Sequence, residues 1–312
     1  MGRLVIDLDN FTAVHRGPGT STPLPALQAP GQVTGVAASP SATSAAVSWS
    51  LTANATSYKV DWTPVAGSGE QSSMPVGNLT GWTQVLAEDF TTPVPLGSFN
   101  DAYPGWNGYD GARDTSKNYG RVLAKQGLYD SDATCSVHDS MLDIYVHTPA
   151  DGTPRIAAPL PRPTSAAFNQ LYGRYAVRFR SDVVQGYKVA WLLWPQSDDW
   201  AEGEIDFPET SLGGTIEGFS HQVDGDPAVN QWHVDTGEVM TEWHVAVIEW
   251  TPTVLRFKLD DLSWQTTDTD AIPHTPMRWT LQTETLLSST PPPTNAAGHV
   301  YIDWVAAWSY NP

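Results

Sequence analysis

The sequence is poor in cysteine, in basic side chains and in long apolar runs. Cys135 is the only cysteine among 312 residues, which excludes an intramolecular disulfide and leaves no pair of thiolates for a zinc ion. A single cysteine near a histidine, here His138, is most often a small packed side chain. We therefore expect no thiol nucleophile.

Positive charge is scarce, because 16 Lys and Arg stand against 34 Asp and Glu, for a formal net charge of −18. Long-range repulsion of this kind disfavours nucleic acid and anionic membrane surfaces as partners. A neutral polymer such as a polysaccharide is not repelled. The charge thus predicts no nucleic-acid partner and no membrane partner.

Several other signals are missing. No apolar run is long enough to cross a bilayer. The first residues, MGRLVIDLDNFTAVHRG, are interrupted by Asp7, Asp9 and Asn10 and do not read as a signal peptide. The sequence also lacks a glycine-rich phosphate loop, a G-x-S-x-G turn and an H-E-x-x-H motif. The enzyme classes that depend on those motifs are not indicated.

The composition divides the chain into three parts. Residues 17–31 are dense in Pro, Gly, Ser and Thr, which predicts a leader and linker over residues 1–30. The stretch PGQVTGV…AVSW…ATSYKVDW has short alternating segments and resembles the first half of a fibronectin type III module, so residues 31–80 are predicted to be a small β-rich fragment. Residues 81–312, rich in aromatic side chains, are predicted to form the main domain.

The main domain shows strand periodicity and no sustained helical spacing. LYGRYAVRFR alternates Tyr175, Val177 and Phe179 with polar or small residues, as in a half-buried strand. YKVAWLLWP is a fuller apolar run, typical of a strand covered on both faces. Asp260 and Asp261 stand where a two-residue hairpin turn is expected. These patterns predict an all-β sandwich of two antiparallel sheets.

One strand carries an unusual set of acids, in GEIDFPET. Glu204 and Asp206 would share a face of a regular strand, whereas Glu209 would point to the opposite face. A β-bulge adds one residue and returns Glu209 to the first face. Pro208 fits this interpretation, because proline is tolerated in sheets mainly at edges and bulges. The sequence therefore predicts a bulge and three carboxylates on one face.

Three carboxylates on one face match the needs of glycoside hydrolysis. One ionised carboxylate attacks the anomeric carbon and one protonated acid gives its proton to the departing oxygen. Glu204 and Glu209 are the candidate pair, with Asp206 between them, and a neighbouring anion favours the protonated form of Glu209. A calcium site or a solvated acidic edge are the alternatives for the same pattern.

The order of YGRYAVRFR, VAWLLWP, WAEGEIDFPET and TEWHVAVIEWTPTVLRFKLDD resembles glycoside hydrolase family 16, in its laminarinase-like branch, over most of residues 83–312. The resemblance implies a β-jelly-roll sandwich with a concave cleft and retaining endo-hydrolysis of β-linked glucans or galactans. It implies Glu204 as nucleophile, Asp206 as assisting acid and Glu209 as acid/base. Pro208 departs from the family's usual aliphatic residue.

The same resemblance indicates substrate-binding residues less firmly. They are Trp191, Trp194, Trp200, His221, Gln282 and Glu284. It implies no metal and no cofactor in catalysis, with a structural calcium ion compatible but not required. We expect a polysaccharide partner.

The leading hypothesis is a retaining endo-β-glycosidase acting on a β-1,3-glucan of the laminarin type or on a bacterial envelope galactan. Its alternative is a non-catalytic carbohydrate-binding jelly roll, or a phage tail component that binds a host cell-wall glycan. The organisation of the chain resembles phage tail-associated hydrolases, which would add other virion tail proteins as partners. The predicted location is extracellular or virion-associated.

Overall fold

The computed structural model describes residues 73–162 and 169–312, together with the backbone of four short strands nearer the start of the chain. The chain divides into two compact units, Met1–Ser68 and Gly69–Pro312. Each unit is described separately below.

The described part of the first unit consists of two antiparallel strand pairs. The four strands are β1 (Arg3–Asp7), β2 (Ala37–Pro40), β3 (Ala45–Ser48) and β4 (Lys59–Thr63). Strand β1 pairs with β4, and β2 pairs with β3. The predicted leader of residues 1–30 thus contains a strand. The rest of that leader, and most of the predicted fibronectin-like fragment at 31–80, lies outside the described residues, so both domain assignments stay predictions.

The second unit is built almost entirely of strands. They are β5 (Trp82–Glu88), β6 (Asn107–Gly108), β7 (Leu128–Tyr129), β8 (Cys135–His138), β9 (Met141–His147), β10 (Arg155–Ile156), β11 (Ala158–Pro159), β12 (Gly173–Ser181), β13 (Tyr187–Pro195), β14 (Ile205–Ser211), β15 (Thr215–His221), β16 (Asn230–Val239), β17 (His244–Trp250), β18 (Leu255–Leu259), β19 (Leu262–Thr266), β20 (Met277–Thr285) and β21 (Ala297–Tyr310).

Helices in the described residues of this unit are short. They are the α-helices α1 (Phe99–Ala102) and α2 (Ser131–Thr134), and the 3₁₀ helices Thr115–Tyr119, Leu123–Lys125, Trp200–Glu202 and Thr269–Ala271. No helix among the described residues is both long enough and apolar enough to span a membrane.

Two sheets form the body of the second unit. A ten-stranded sheet has the order β19-β18-β17-β12-β21-β9-β10-β7, with β5 beside β21 and β8 beside β9. A five-stranded sheet has the order β16-β15-β14-β13-β20, and all its pairings are antiparallel. The predicted hairpin at Asp260 and Asp261 joins β18 to β19, with Asp260 at φ 51°. The fold is all-β, as the strand periodicity predicts.

The hydrophobic core lies between these two sheets, where aromatic rings from both meet. Phe207 of β14 stacks on Phe257 of β18 with ring centroids 4.7 Å apart. Trp191 of β13 meets Phe179 of β12 edge to face at 5.0 Å. Because successive side chains of a strand point to opposite faces, the residues between these core positions point to the other face of the five-stranded sheet.

Candidate active site

The face of the five-stranded sheet that points away from the core is here called the cleft face. On β13 the core residues are Val189, Trp191 and Leu193, so the alternate residues belong to the cleft face. These alternate residues are Lys188, Ala190, Leu192 and Trp194. Their direct partners on β20 are Glu284, Gln282, Thr280 and Arg278, respectively. Pairing across the sheet therefore places Gln282 and Glu284 on the cleft face.

A bulge interrupts β14 where the sequence predicts it. Asp206 lies opposite Phe219 and Glu209 lies opposite Glu217, so two residues of β14 face one residue of β15 between these pairs. The pairing with β13 shifts at the same place, since Asp206 lies opposite Leu192 and Glu209 opposite Ala190. One additional residue thus returns Glu209 to the face that holds Asp206. Pro208 lies inside the bulge, where no ladder hydrogen bond is required.

Gly218 is the β15 residue that faces the bulge, and its missing side chain makes room for the core behind it. A Cβ atom there would lie 2.7 Å from Cδ2 of Phe257 and 2.8 Å from Cδ2 of Phe207. Phe207 belongs to the bulge itself. The stacked ring pair therefore fills the space behind the bulge only because residue 218 is glycine.

Glu204 enters the cleft face just before β14 begins, after the 3₁₀ helix Trp200–Glu202. Asp199 caps that helix, since its Oδ1 accepts a hydrogen bond from the Ala201 N–H at 3.1 Å. Gly203 follows with φ 104°, a left-handed conformation that favours glycine, and a Cβ there would lie 2.7 Å from Cγ of Pro273. The turn at Gly203 thus fixes the direction of the backbone at Glu204, after the helix has ended.

Glu204, Asp206 and His221 form a compact group. Nε2 of His221 lies 3.7 Å from Oε2 of Glu204 and 3.4 Å from Oδ2 of Asp206. The other ring nitrogen, Nδ1, is 2.7 Å from the carbonyl oxygen of Pro227. A carbonyl only accepts, so Nδ1 carries a proton and donates it there. In the neutral ring, Nε2 therefore presents its lone pair to the two carboxyl groups.

Burial raises the pKa of both carboxyl groups well above their ordinary values. For Glu204 the negative charge of Asp206 adds to this effect, and His221 opposes it. For Asp206 the charge of Glu209 adds to burial, and Lys188 opposes it. Asp206 is only 2% exposed, and no described residue hydrogen-bonds its Oδ2 atom. Two such groups side by side retain a proton as a pair.

Glu209 has a different neighbour, the ammonium group of Lys188. This ammonium donates a hydrogen bond to Oε1 of Glu209 and lies 3.9 Å from Oε2 of Glu284. Glu284 in turn accepts hydrogen bonds from the Thr115 hydroxyl at 2.8 Å and the Tyr129 hydroxyl at 3.2 Å. The sequence predicts only an anion beside Glu209, whereas the structure also pairs it with a cation.

Of the three tryptophans predicted to bind substrate, two lie at the cleft and one lies in the core. Trp200 is 38% exposed and lies beside His221, with ring centroids 5.5 Å apart. Trp194 is on the cleft face, and its Nε1 donates a hydrogen bond to Asp198 at 3.0 Å. Trp191 does not reach the cleft, because it is fully buried against Phe179. The prediction that Trp191 binds substrate is therefore wrong, because the alternation of the strand points its side chain into the core.

Several residues of the cleft face are missing from the sequence prediction. Lys188 is the most important, and Leu192, Phe219 and Thr280 lie beside Asp206 in the same row across the sheet. The lysine in the apolar run YKVAWLLWP is a signal that the sequence contains. The run as a whole predicts a strand covered on both faces, and such a strand does not indicate a charged residue in a cleft.

The group of Glu204, Asp206 and His221 is also one that a divalent cation could use. One ligand atom from each residue lies within 4.8 Å of the others. One imidazole and two carboxylates suit several divalent metals. The prediction that catalysis needs no metal stays a prediction, and metal removal tests it.

Comparison with known families and structures is consistent with this site. A model of the family described as Glycosyl hydrolases family 16 matches residues 161–306, a range that contains the bulged strand and its neighbours. No curated protein sequence gives a significant match.

Solved structures with the same fold include three glucanases. An endo-1,3-beta-glucanase from Streptomyces sioyaensis is 19% identical, with a TM-score of 0.55, over 76% of this chain and 100% of that chain. A laminarinase from Rhodothermus marinus is 18% identical, with a TM-score of 0.55, over 74% and 98%. The catalytic domain of an endo-1,3-beta-glucanase from Thermotoga petrophila is 17% identical, with a TM-score of 0.52, over 74% and 99%. At these identities the similarity concerns the fold.

This protein has a β-sandwich with clustered carboxyl groups on the open face of one sheet. These groups lie in a region that matches a glycoside hydrolase family, and the protein is a glycoside hydrolase. More narrowly, residues 161–306 match glycosyl hydrolase family 16, and this match together with the fold supports a β-glycan hydrolase.

Proposed function

We propose that the protein is a retaining endo-β-glycosidase that cleaves a β-1,3-linked glucan by double displacement, with Glu204 as nucleophile and Glu209 as acid/base. The observation that supports this most is the bulge in β14, which puts Glu209 on the face that Asp206 occupies. A retaining mechanism needs one carboxylate that attacks and a second carboxyl group that first donates and then accepts a proton. Glu204 and Glu209 have different neighbours, since Glu204 lies beside Asp206 and His221, whereas Glu209 is paired with Lys188.

In the first half-reaction, a carboxylate oxygen of Glu204 forms a bond to the anomeric carbon while the glycosidic bond breaks. Glu209 gives its proton to the leaving oxygen at the same time. For this step Glu204 must be the ionised member of its pair with Asp206, and the proton that the pair retains must lie on Asp206. The imidazole of His221, 3.7 Å from Glu204, favours the ionised form of Glu204.

In the second half-reaction, Glu209 is ionised and takes a proton from a water molecule. The water oxygen bonds to the anomeric carbon and the ester to Glu204 breaks, which regenerates both groups. Two inversions give a product with the original anomeric configuration. Product retention is therefore a direct consequence of the proposed roles.

A β-1,3-glucan is the proposed substrate because the solved structures of the same fold include enzymes named for that linkage. The cleft face crosses five strands, so it suits the interior of a long chain better than a chain end. Trp194 and Trp200 offer flat apolar surfaces, and both lie near the Glu204 end of this group of acids. An envelope galactan is the competing substrate, and the experiment below separates the two.

The test is a panel of laminarin, lichenan, galactan and a bacterial cell-wall polysaccharide, assayed for reducing-sugar release with the native protein and with Glu204→Gln. We expect cleavage of laminarin with retention, observed by NMR of the first products, and no turnover by the variant, whose amide cannot attack. Binding to a polysaccharide without cleavage would support the carbohydrate-binding alternative instead. Wild-type rates in Glu204→Gln would remove Glu204 from the nucleophile role.

We also propose an extracellular or virion-associated place of action, because the polysaccharide substrates named above lie outside the cell. Association with virion tail proteins stays a prediction. Co-sedimentation of the protein with intact particles tests it.

A further inference from the structure

Lys188 is an uncommon residue for the interior of an acidic cleft. Its side chain is almost fully buried, and a lysine in that position requires partners for its charge. Burial lowers the pKa of the ammonium group, but Glu209 and Glu284 outweigh this effect, and the net shift is upward. Lys188 therefore stays charged throughout the pH range in which carboxyl groups exchange protons.

The lysine is held in position from the side opposite Glu209. Glu284, which is 3.9 Å from the ammonium, accepts hydrogen bonds from Tyr129 and from the Thr115 hydroxyl. The ammonium donates to Glu209 on its other side. Successive polar contacts thus connect Thr115, at the start of the 3₁₀ helix Thr115–Tyr119, to Glu284, then to Lys188 and then to Glu209.

Other charged groups also surround Glu209. They are Asp206 on its own strand, Lys188 on β13, Glu284 on β20, Glu217 on β15, and His233 and Asp235 on β16 behind Glu217. Lys188 is the only cation of this group that hydrogen-bonds Glu209 among the described residues. Glu217 is instead paired with His233, whose Nε2 lies 3.2 Å from its Oε1.

We propose that Lys188 is a positioning residue that orients Glu209 and stabilises its ionised form, so that the neighbouring strand sets the pH at which the acid/base works. The proposal rests on the proposed function of Glu209. Lys188 neither gives up nor accepts a proton in either half-reaction. It opposes proton retention by Glu209 before the glycosidic bond breaks and supports the base that activates water afterwards.

The proposed effect of Lys188 on Glu209 can be measured separately in each half-reaction, as a shift in the pH dependence of the rate. Cleavage of laminarin needs protonated Glu209, which produces the alkaline limb of the kcat/KM profile. An aryl glycoside with an activated leaving group, such as a 2,4-dinitrophenyl β-laminaribioside, needs no proton for departure. Its turnover is then limited by breakdown of the glycosyl-enzyme, which needs ionised Glu209 and gives an acid limb.

The experiment compares Lys188→Met with Lys188→Arg, the matched control that keeps the charge. We expect both limbs to move to higher pH by about 1 unit or more in Lys188→Met, because an adjacent opposite charge shifts a carboxyl group by that amount. Neither limb moves in Lys188→Arg. Limbs that stay in place, or that move to lower pH, in Lys188→Met would overturn the proposal.

Two additions keep the outcome decisive. If Lys188→Met does not fold, because Glu284 loses its counter-charge, Lys188→Met with Glu284→Gln removes both charges together, and a shift in the same direction but smaller is expected, because the Glu284 anion is farther from Glu209 than the Lys188 ammonium is. Glu209→Gln is measured in parallel on laminarin. Wild-type activity of that variant would refute the proposed function itself, whereas an inactive Glu209→Gln with unmoved limbs in Lys188→Met would refute only the role of Lys188.

Discussion

Replacing Gly218 by alanine tests how tightly the core controls the catalytic bulge. The new methyl group would lie 2.7 and 2.8 Å from two ring carbons that belong to Phe257 and Phe207. These rings are stacked 4.7 Å apart at an angle of 12°, so neither has free space to move into. The ring of Phe207 is the easier one to displace, since it belongs to the irregular part of β14. Its displacement would move Glu209.

The expected loss of stability follows from two opposing effects. Overpacking a filled core costs about 1–3 kcal/mol, whereas replacing glycine by alanine recovers roughly 0.4–1 kcal/mol by restricting the unfolded chain. The net expectation is a loss of about 1–2 kcal/mol in the free energy of unfolding, or roughly 2–8 °C in Tm for a domain of this size. Activity should fall further, by about 100-fold, because catalytic groups displaced by 1 Å lose effect on that scale.

The assay is thermal and denaturant unfolding together with laminarin hydrolysis, and Gly237→Ala is the matched control. Gly237 has φ 74° and an added Cβ would contact nothing within 4 Å, so this change costs about 1–2 kcal/mol through the backbone alone and should leave kcat unchanged. Adding Phe207→Leu to Gly218→Ala should recover part of the lost stability, since a smaller side chain relieves the contact. Equal activities of Gly218→Ala and Gly237→Ala at equal stability would refute the link between this glycine and the bulge.

Three further outcomes are expected. Glu209→Gln should lose activity on laminarin but keep part of it on an activated aryl glycoside, with azide increasing the rate and forming a β-glycosyl azide; a variant that azide leaves unchanged would contradict the acid/base role. The raised pKa values of Glu204 and Asp206 mean that the folded pair holds a proton at a pH where the unfolded chain has released it. This contribution to stability is fully present below the ordinary pKa values of 3.8 and 4.5 and is lost as pH rises through the raised pKa values of the folded pair. The free energy of unfolding of Glu204→Gln, measured by urea unfolding, should therefore change less between pH 4 and pH 7 than that of the native protein. Equal changes in the two proteins would contradict the raised pKa. Dialysis against EDTA should leave laminarin hydrolysis intact if Glu204, Asp206 and His221 act without a metal, and loss of activity that a divalent cation restores would assign them to a metal site.

The bulge was predictable because the sequence itself contains an inconsistency. An acid at an odd distance from two others, next to a proline, does not fit a regular strand, and one additional residue removes both problems. The structure has this register shift between Asp206 and Glu209. The all-β architecture was predictable for a similar reason, since period-two alternation recurs along residues 81–312.

The surroundings of the acids were harder to predict, because they depend on pairing between strands that are distant in sequence. Glu209 and Lys188 are 21 residues apart, and Lys188 and Glu284 are 96 residues apart; the latter two are direct partners across β13 and β20. The sequence of one strand does not show which residues of a partner strand lie opposite its own. The same limitation explains Trp191, because a motif match cannot tell which face an aromatic residue takes when two tryptophans and two leucines stand in one run.

The line of contacts from Thr115 through Glu284 and Lys188 has a consequence for how such an enzyme can diversify. Glu204, Asp206 and Glu209 lie within six consecutive residues, whereas the groups that contact Glu209, directly or through Lys188, come from other strands and from the 3₁₀ helix Thr115–Tyr119. If Lys188 has the proposed role, substitutions at those outlying positions move the working pH while the reacting groups stay untouched. Adaptation to acidic or alkaline habitats can therefore occur by substitutions outside the acidic motif GEIDFPET.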